Sequence, residues 1–245
     1  MIDIEICLPC DDLTNVALQI RAAREGKAAR VELCSHMEHQ GLTPSVNAMQ
    51  QAKATAREEI TLLAMIRPRG ENFCYDEGEV LQMQHDITLA AQAGMQGVVL
   101  GALTPDNKLD VGALTRLIAV ANNANLQVTF HRAFDALAEP AQAIETLIEL
   151  GVQRILTSGC DWGSHDTAQQ HCAQLARYIA LAKGQIEIVI GGGITPASAK
   201  LIAQSISQQL GQNYHYSFHA YSSALIDGVV HENPVRQLYQ RVNDT

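Results

Sequence analysis

The sequence predicts a (β/α)8 barrel, and three observations carry this expectation. The chain has 245 residues, close to the ~250 typical of such a barrel. Eight short runs rich in Val, Ile, Leu and Thr recur along it, and each is followed by a stretch with a helical pattern. Many of these runs end in charged or reactive residues, which is where a barrel gathers its working groups. The alternative is a doubly wound sheet, but the eight regular units and the lack of a Gly-x-Gly-x-x-Gly turn after the first strand argue against it.

The eight predicted strands are runs of aliphatic and β-branched residues bounded by turn-forming residues. In chain order they are Ile2–Cys7, Arg30–Cys34, Thr61–Arg67, Gln96–Gly101, Gln127–Arg132, Arg154–Thr157, Glu187–Ile190 and His215–His219. Because side chains alternate between the two faces of a strand, Glu5 and Cys7 share one face of the first strand. In the same way Glu32 and Cys34 share one face of the second strand, and we expect both faces to point into the barrel.

The helices between these strands are predicted from their end signals. Acidic residues precede the first helix and Gly26 ends it, whereas Pro140 and Pro196 occupy first-turn positions where a missing N–H costs nothing. Three helices are predicted by their starts only: the first at Asp11 or Asp12, the fifth at Glu139 and the seventh at Thr195. The second, third, fourth and sixth are predicted over Ser45–Arg57, Asp76–Ala93, Asp110–Ala124 and His165–Ala182. The tail Asp227–Thr245 is expected to add a last helix. No linker or low-complexity segment divides the chain, so residues 1–245 are predicted to form one domain.

Composition excludes several classes of function. The net charge is −9, and no cluster of Lys and Arg suggests a nucleic-acid partner. No stretch reaches the ~18 consecutive apolar residues of a membrane span, and no signal peptide precedes the first strand. We therefore expect a cytoplasmic protein whose six cysteines are thiols rather than disulfides.

The polar residues at the strand ends could carry acid–base chemistry. If the strand faces are assigned correctly, the barrel mouth collects Glu5, Cys7, Glu32, Cys34, Arg67, His131 and His219. Glu5, Glu32 or His131 would then transfer protons as the catalytic groups. The alternative interpretation is a polar layer inside the barrel in which Arg67 neutralises Glu5 or Glu32, because buried charges need partners in any protein.

Two cysteines suggest a copper site. Cys7 and Cys34 end the first two strands, which should be barrel neighbours about 4.8 Å apart. Two thiolates at that spacing suit Cu(I), a soft ion that prefers sulfur ligands. Cys10, in a C-x-x-C with Cys7, and His39 could add further ligands. The alternative is that these cysteines are small, half-buried residues, as free cysteines often are.

A further group of residues could hold a small anionic or phosphorylated ligand. Glycine lets the backbone approach a ligand closely, and arginine binds carboxylates and phosphates. The candidates follow several strands: Arg67, Arg69, Arg132, Ser158, Gly191, Gly192, Gly193 and His219. The alternative interpretations are a tight turn at the glycine run and a surface loop at the two arginines after the third strand.

Six segments of the chain resemble the CutC family of copper homeostasis proteins. They are Arg30-Val31-Glu32-Leu33-Cys34, Gly41-Leu42-Thr43-Pro44-Ser45, Ile66-Arg67-Pro68-Arg69-Gly70, Phe73-Cys74-Tyr75, Thr129-Phe130-His131-Arg132-Ala133-Phe134-Asp135 and Leu156-Thr157-Ser158-Gly159. The resemblance extends over about residues 2–220. It implies a cytoplasmic TIM barrel that forms a homodimer or a higher homo-oligomer, with a Cu(I) site at Cys7 and Cys34.

The chain departs from the family pattern at three places. His39 stands where the family pattern has Glu, Asn72 stands where it has Asp, and the segment around Tyr221 is longer than in the pattern. Two hypotheses follow from the sequence. The protein either binds Cu(I) for copper homeostasis, or it is a barrel enzyme that acts on a small anionic metabolite by acid–base chemistry at the mouth.

Overall fold

The computed structural model describes residues 1–211 and 214–244, and its central feature is a closed barrel of eight parallel strands. The strands follow one another around the barrel in sequence order, and the last pairs with the first. Helices connect the consecutive strands, which confirms the predicted (β/α)8 fold. Within the described ranges, no helix combines the length and the apolar character that crossing a membrane would require.

The strands are close to their predicted positions. The barrel consists of β1 Asp3–Pro9, β2 Arg30–Cys34, β3 Thr61–Met65, β4 Gly97–Leu100, β5 Gln127–Phe130, β6 Arg154–Thr157, β7 Glu187–Ile190 and β8 Tyr216–Ala220. Three strands, β3, β4 and β5, end earlier than predicted, so Arg67 and His131 lie just beyond β3 and β5. At β5 the chain turns into a 3-10 helix, Arg132–Ala136, whose first N–H groups are capped by His131. A short hairpin, β9 Leu225–Ile226 and β10 Val229–Val230, was not predicted.

The helices also agree with their end signals. They are α1 Leu13–Glu25, α2 Val46–Ala56, α3 Glu77–Gln92, α4 Val111–Asn123, α5 Pro140–Glu149, α6 Cys172–Ala182, α7 Pro196–Leu210 and α8 Glu232–Asn243. Side chains of Asp12 and Asp76 accept N–H groups of the first turn, as helix caps do. The prediction for α6 was wrong at its start, because residues 165–167 are not helical and a 3-10 turn, Ala168–His171, precedes the helix. Thr245, the end of the predicted tail helix, lies outside the described residues.

Polar residues fill the lower part of the barrel, at the amino-terminal ends of the strands. The Arg30 guanidinium donates to Glu5 Oε2 at 2.8 Å, to Glu187 Oε1 at 2.8 Å and to Ser217 Oγ at 2.6 Å. Arg154 extends this layer through a 2.9 Å hydrogen bond to the Thr129 hydroxyl. This polar layer closes the barrel below the mouth and fixes the position of Glu5.

Candidate functional site

A cavity of about 510 Å³ opens at the carboxyl ends of the barrel strands. Seven of the residues predicted to act at the mouth line it: Cys7, Glu32, Cys34, Arg67, His131, Arg132 and His219. Its walls also include apolar side chains such as Met65, Phe73 and Trp162. A volume of this size and a mixture of apolar walls with a few polar groups are typical of small-ligand sites.

His219 on β8 connects the polar layer below to the cavity above. Its Nδ1 lies 2.8 Å from Glu5 Oε1, and its Nε2 lies 3.6 Å from Glu32 Oε2. Burial lowers the pKa of His219, but hydrogen bonds to Cys7 and Glu5 and the charges of Glu32 and Glu5 outweigh it and hold the pKa well above its ordinary value. Burial raises the pKa of Glu5, yet the His219 hydrogen bond and the Arg30 charge lower it to about 2. The two residues therefore form an imidazolium–carboxylate pair.

Glu32 is in a different electrostatic state from Glu5. Burial holds the pKa of Glu32 well above its ordinary value. The charge of His219 opposes this effect, whereas the charges of Cys7 and Glu5 reinforce it. Its Oε1 is buried and has no hydrogen-bond partner among the described residues. Two carboxyl groups in one site whose pKa values are pushed apart are the arrangement expected for acid–base work. Glu32 is thus the group that can exchange a proton with a ligand in the cavity.

The two cysteines of the predicted copper site are not directly opposite each other. In the β1–β2 register Cys7 pairs with Glu32, whereas Cys34 pairs with Pro9, because neighbouring barrel strands are staggered. The Cys34 thiol forms a hydrogen bond that lowers the pKa of Cys7, and this effect outweighs burial. The neighbouring His219 adds to it, so the pKa is lowered to about 6. Met37 Sδ lies 4.0 Å from Cys7 Sγ. The thiolate of Cys7 is therefore available near neutral pH beside further sulfur atoms.

Three side chains could share one metal ion. Cys7 Sγ, a carboxylate oxygen of Glu32 and a ring nitrogen of His219 all lie within 4.8 Å of one another. Glu5 occupies Nδ1 of His219, and this is the outer carboxylate partner that metal-binding histidines commonly have. Cys34 extends the group with a second sulfur on the same side of the barrel.

The two additional metal ligands suggested by the sequence are not brought into this group. The Cys10 thiol donates to the Cys34 carbonyl at 3.1 Å, and burial is the main cause that raises its pKa to about 12. His39 is exposed, and its side chain packs near Gly70. Neither side chain belongs to the described lining of the cavity.

Arg67 does not neutralise either glutamate, so that interpretation was wrong. Its Nη1 donates to the carbonyl oxygens of His39, Gln40 and Gly41 at 2.9, 3.3 and 3.3 Å. Its Nε and Nη2 are buried and have no hydrogen-bond partner among the described residues. The partner of Glu5 is Arg30, whose role the sequence did not indicate.

His131 is a buried, neutral ring in the cavity lining. Its Nδ1 accepts the N–H of Ala133 at 3.1 Å, so the proton of the neutral ring is on Nε2. Burial and the charge of Arg67 lower the pKa of His131 to about 3, which keeps the ring neutral. A Cβ on Gly101 would lie 2.6 Å from this ring, so glycine is required beside it. A neutral ring whose Nδ1 is already bonded has no free lone pair for the predicted role as a base, and its Nε2 has no hydrogen-bond partner among the described residues.

Several predicted anion-binding residues have other partners. Arg69 forms an ion pair with Glu79 at 2.5 Å and donates to the Cys74 carbonyl at 2.6 Å, away from the described cavity lining. Arg132 lines the cavity but pairs with Asp135 and donates to Ser158 Oγ at 2.9 Å. In turn, Ser158 Oγ donates to Asp135 at 2.9 Å.

The glycine run after β7 forms a tight turn. The Gly191 N–H donates to the Thr157 carbonyl at 2.9 Å within the barrel ladder. Gly192 and Gly193 have φ of 93° and 72°, and a Cβ on Gly192 would lie 2.7 Å from Ser158 Cβ. The turn therefore needs glycine for its conformation and close packing, which is the alternative interpretation of this segment.

Residues outside the predicted catalytic and anion-binding sets complete the site. Met37, Gln40, Trp162 and Tyr221 line the cavity. The departures at Asn72 and Tyr221 can be placed, because Asn72 Oδ1 accepts from Arg69 and from the Cys74 N–H, whereas Tyr221 lies in the cavity wall. Only the strand register could have revealed Arg30, which stands opposite Glu5 in β2.

The fold and the cavity define a TIM-barrel protein with thiol, carboxyl and imidazole groups gathered at its mouth. The chain belongs to the CutC family, whose model matches residues 2–218. A CutC family protein of Vibrio atlanticus (strain LGP32) is 41% identical over 206 residues, which is 84% of this chain and 78% of that protein. The copper homeostasis protein cutC homolog of Homo sapiens is 42% identical over 182 residues, 74% of this chain and 64% of that protein.

A solved structure supports the same assignment. A CutC protein of Streptococcus agalactiae superposes with a TM-score of 0.77 and is 30% identical in sequence. The match covers 89% of this chain and 98% of that one. The barrel is therefore the fold of the family, and the description of the human relative connects the family with copper homeostasis.

Proposed function

We propose that this protein is a cytoplasmic homo-oligomer that binds Cu(I) through Cys7 and Cys34 and takes part in copper homeostasis. The observation that carries this proposal is the grouping of sulfur atoms at the mouth. Cys7, Cys34 and Met65 belong to one packed cluster, and Met37 packs against it. Cu(I) favours thiolate and thioether ligands. The description of the human relative as a copper homeostasis protein supports the same function.

The electrostatics of Cys7 also favour metal binding. Metal binding requires a thiolate, so a lowered thiol pKa reduces the proton competition at neutral pH. The Cys34 thiol and His219 lower the pKa of Cys7 to about 6 against the opposing effect of burial. A first ligand that is already charged can therefore capture the ion, and Cys34 releases its proton as it joins.

Replacing Cys7 and Cys34 together by serine is expected to weaken Cu(I) binding by at least about 100-fold. The estimate is a lower limit, because even the loss of an outer-shell partner commonly costs 10–100-fold in metal affinity. Competition with a chromophoric Cu(I) chelator under anaerobic conditions measures the affinity, and Zn(II) serves as the comparison metal. The Cys10→Ser variant is the matched control and should bind as the wild type does. Unchanged Cu(I) affinity in the double variant would exclude this function.

A second candidate function is an enzyme that acts on a small anionic metabolite. The specific observation that favours it is the pair of carboxyl groups, because Glu32 holds a proton that Glu5 cannot hold. In this function Glu32 exchanges a proton with carbon or oxygen of the ligand, and His219 stabilises the charge that Glu32 acquires.

Proton exchange into a ligand provides the test of this second function. Small organic acids incubated in deuterated water with the wild type should exchange a C–H proton for deuterium, followed by NMR. The Glu32→Gln variant is expected to reduce the exchange rate at least 100-fold, since general acid–base groups contribute about 10²–10⁴-fold. Equal exchange by the two proteins would exclude Glu32 as the acid–base group.

A further inference from the structure

We propose that Arg67 and His131 form a carboxylate-binding subsite in the mouth cavity, so that the ligand of this site is a small organic acid. The inference names the ligand class of the second candidate function. It rests on that function for the reaction that a bound acid would undergo, whereas carboxylate binding itself does not depend on it. The observation behind it is a set of three buried nitrogen atoms without a protein partner in the part of the chain that the structure describes: Arg67 Nε, Arg67 Nη2 and His131 Nε2.

Arg67 is held in place by one side of its guanidinium only. The residue is 2% exposed, and Nη1 is bonded to three carbonyl oxygens of the 39–41 turn. Arg69 and Arg132 each pair with a carboxylate, that of Glu79 and that of Asp135, whereas no such ion pair of Arg67 is found among the described residues. A buried charge without a partner is costly, so the site is completed by an anion. The edge formed by Nε and Nη2 presents two parallel N–H groups, and this fork matches the two oxygens of a carboxylate.

His131 provides the third donor beside this fork. Both side chains contact the Phe73 ring. The centroid of this ring lies 5.0 Å from Arg67 Cζ and 5.0 Å from the centroid of the His131 ring. The Ala133 N–H fixes the tautomer, so Nε2–H is the free donor. The Tyr75 hydroxyl lies beside Arg67 but cannot supply the counter-charge, since burial outweighs the influence of Arg67, raises the pKa of Tyr75 to about 12 and keeps it neutral.

The donor set favours a carboxylate over a phosphate. Phosphate sites usually combine several backbone N–H groups with a helix amino terminus. Here the Gly191–Gly193 run is not part of the described cavity lining, the Gly191 N–H is used by Thr157, and Arg132 is paired with Asp135. Leu156, Met65 and Trp162 provide apolar walls for a short carbon skeleton. With its carboxylate at Arg67, such a ligand shares the cavity with Glu32 and Cys7.

Carboxylate binding can be measured directly on the reduced, metal-free protein. The probes are sodium acetate, propionate, succinate and benzoate, with sodium chloride at equal ionic strength and sodium phosphate as comparisons. A ligand that binds the native state raises the melting temperature with its concentration. We expect at least one carboxylate to raise it, whereas chloride and phosphate do not.

Matched variants identify the donors. His131→Gln keeps an N–H donor near the position of Nε2 and should retain the affinity within about threefold, whereas His131→Leu and Arg67→Lys should each weaken it at least about tenfold. Cys10→Ser, whose side chain is outside the described cavity lining, is the control and should change nothing. The proposal is overturned if every carboxylate behaves as chloride does, which would mean that water satisfies these donors, or if phosphate alone shifts the melting temperature, or if Arg67→Lys binds as the wild type does.

The outcome also separates this inference from the function beneath it. Carboxylate binding that depends on Arg67, together with equal proton exchange by wild type and Glu32→Gln, would retain the subsite and exclude the enzyme. Proton exchange into acids whose binding ignores Arg67 would retain the enzyme and exclude the subsite.

Discussion

Replacing Arg30 by methionine is expected to destabilise the fold by about 3–5 kcal/mol, the cost of breaking a buried ion pair by removing one partner. Arg30 is bonded to Glu5 and Glu187, whose side chains are 1% and 10% exposed. Methionine fills much of the arginine volume but leaves two buried carboxylates without their main cation. Urea unfolding at neutral pH measures the change.

The Arg236→Met variant is the matched control for this result. Arg236 pairs with Glu232 on α8, but both side chains are more than 40% exposed, and exposed pairs contribute at most about 1 kcal/mol. The control should therefore remain close to the wild type. A loss of less than about 1 kcal/mol for Arg30→Met would contradict the importance of the polar layer. In that case His219 and Arg154, the second buried arginine of the layer, would have to hold Glu5 without Arg30.

The wild type and the Arg30→Met variant should also respond differently to acid. The pKa of Glu5 is lowered to about 2 from an ordinary value of 4.5, so its contribution to stability is present above pH 4.5 and is lost as the pH falls from 4.5 to 2. Without Arg30 this contribution is smaller. The stability difference between the wild type and Arg30→Met should therefore shrink over that pH range, and an unchanged difference would exclude Glu5 as its origin.

The barrel could be predicted from the sequence because each of its signals is local. Alternation along β1 and β2 assigned Glu5, Cys7, Glu32 and Cys34 to the interior, and caps such as Asp76 marked the helix starts. The partners of these residues are not local. Glu5 binds Arg30, 25 residues away, and His219, 214 residues away. The stagger between strands decides these pairings, and the sequence does not display it.

The errors at the site have the same physical cause. Arg67 and Arg69 differ by two positions in one loop, yet one side chain is buried at the cavity and the other pairs with Glu79 on α3. The roles of His131 and Gly191 depend on single backbone N–H groups, of Ala133 in the first case and of Gly191 itself in the second. Residue type predicts which interactions a side chain can form, whereas the surrounding backbone decides which of these interactions it forms.

Alkylation of Cys7 in the metal-free protein is expected to follow a pH profile with a midpoint near 6 rather than near 9. The Cys34 thiol is the largest cause of the lowered pKa, burial opposes it, and His219 adds to it. About nine-tenths of the thiol would then be thiolate at pH 7, compared with about one-hundredth at the ordinary pKa of 9.0. The midpoint is a better measure than the rate, because a thiolate of low pKa is also a weaker nucleophile.

The measurement is iodoacetamide labelling from pH 5 to pH 10, with the peptide that contains Cys7 quantified by mass spectrometry. A Cys10→Ser background separates the two thiols, and it should not change the profile because the Cys10 thiol is not part of the described cavity lining. Cys34→Ala should raise the midpoint, and His219→Gln should raise it too, since each removes a group that stabilises the thiolate. A wild-type midpoint near 9 would contradict the electrostatics of the site. If Cu(I) binds where we propose, one equivalent of Cu(I) should also protect Cys7 from labelling at every pH in this range.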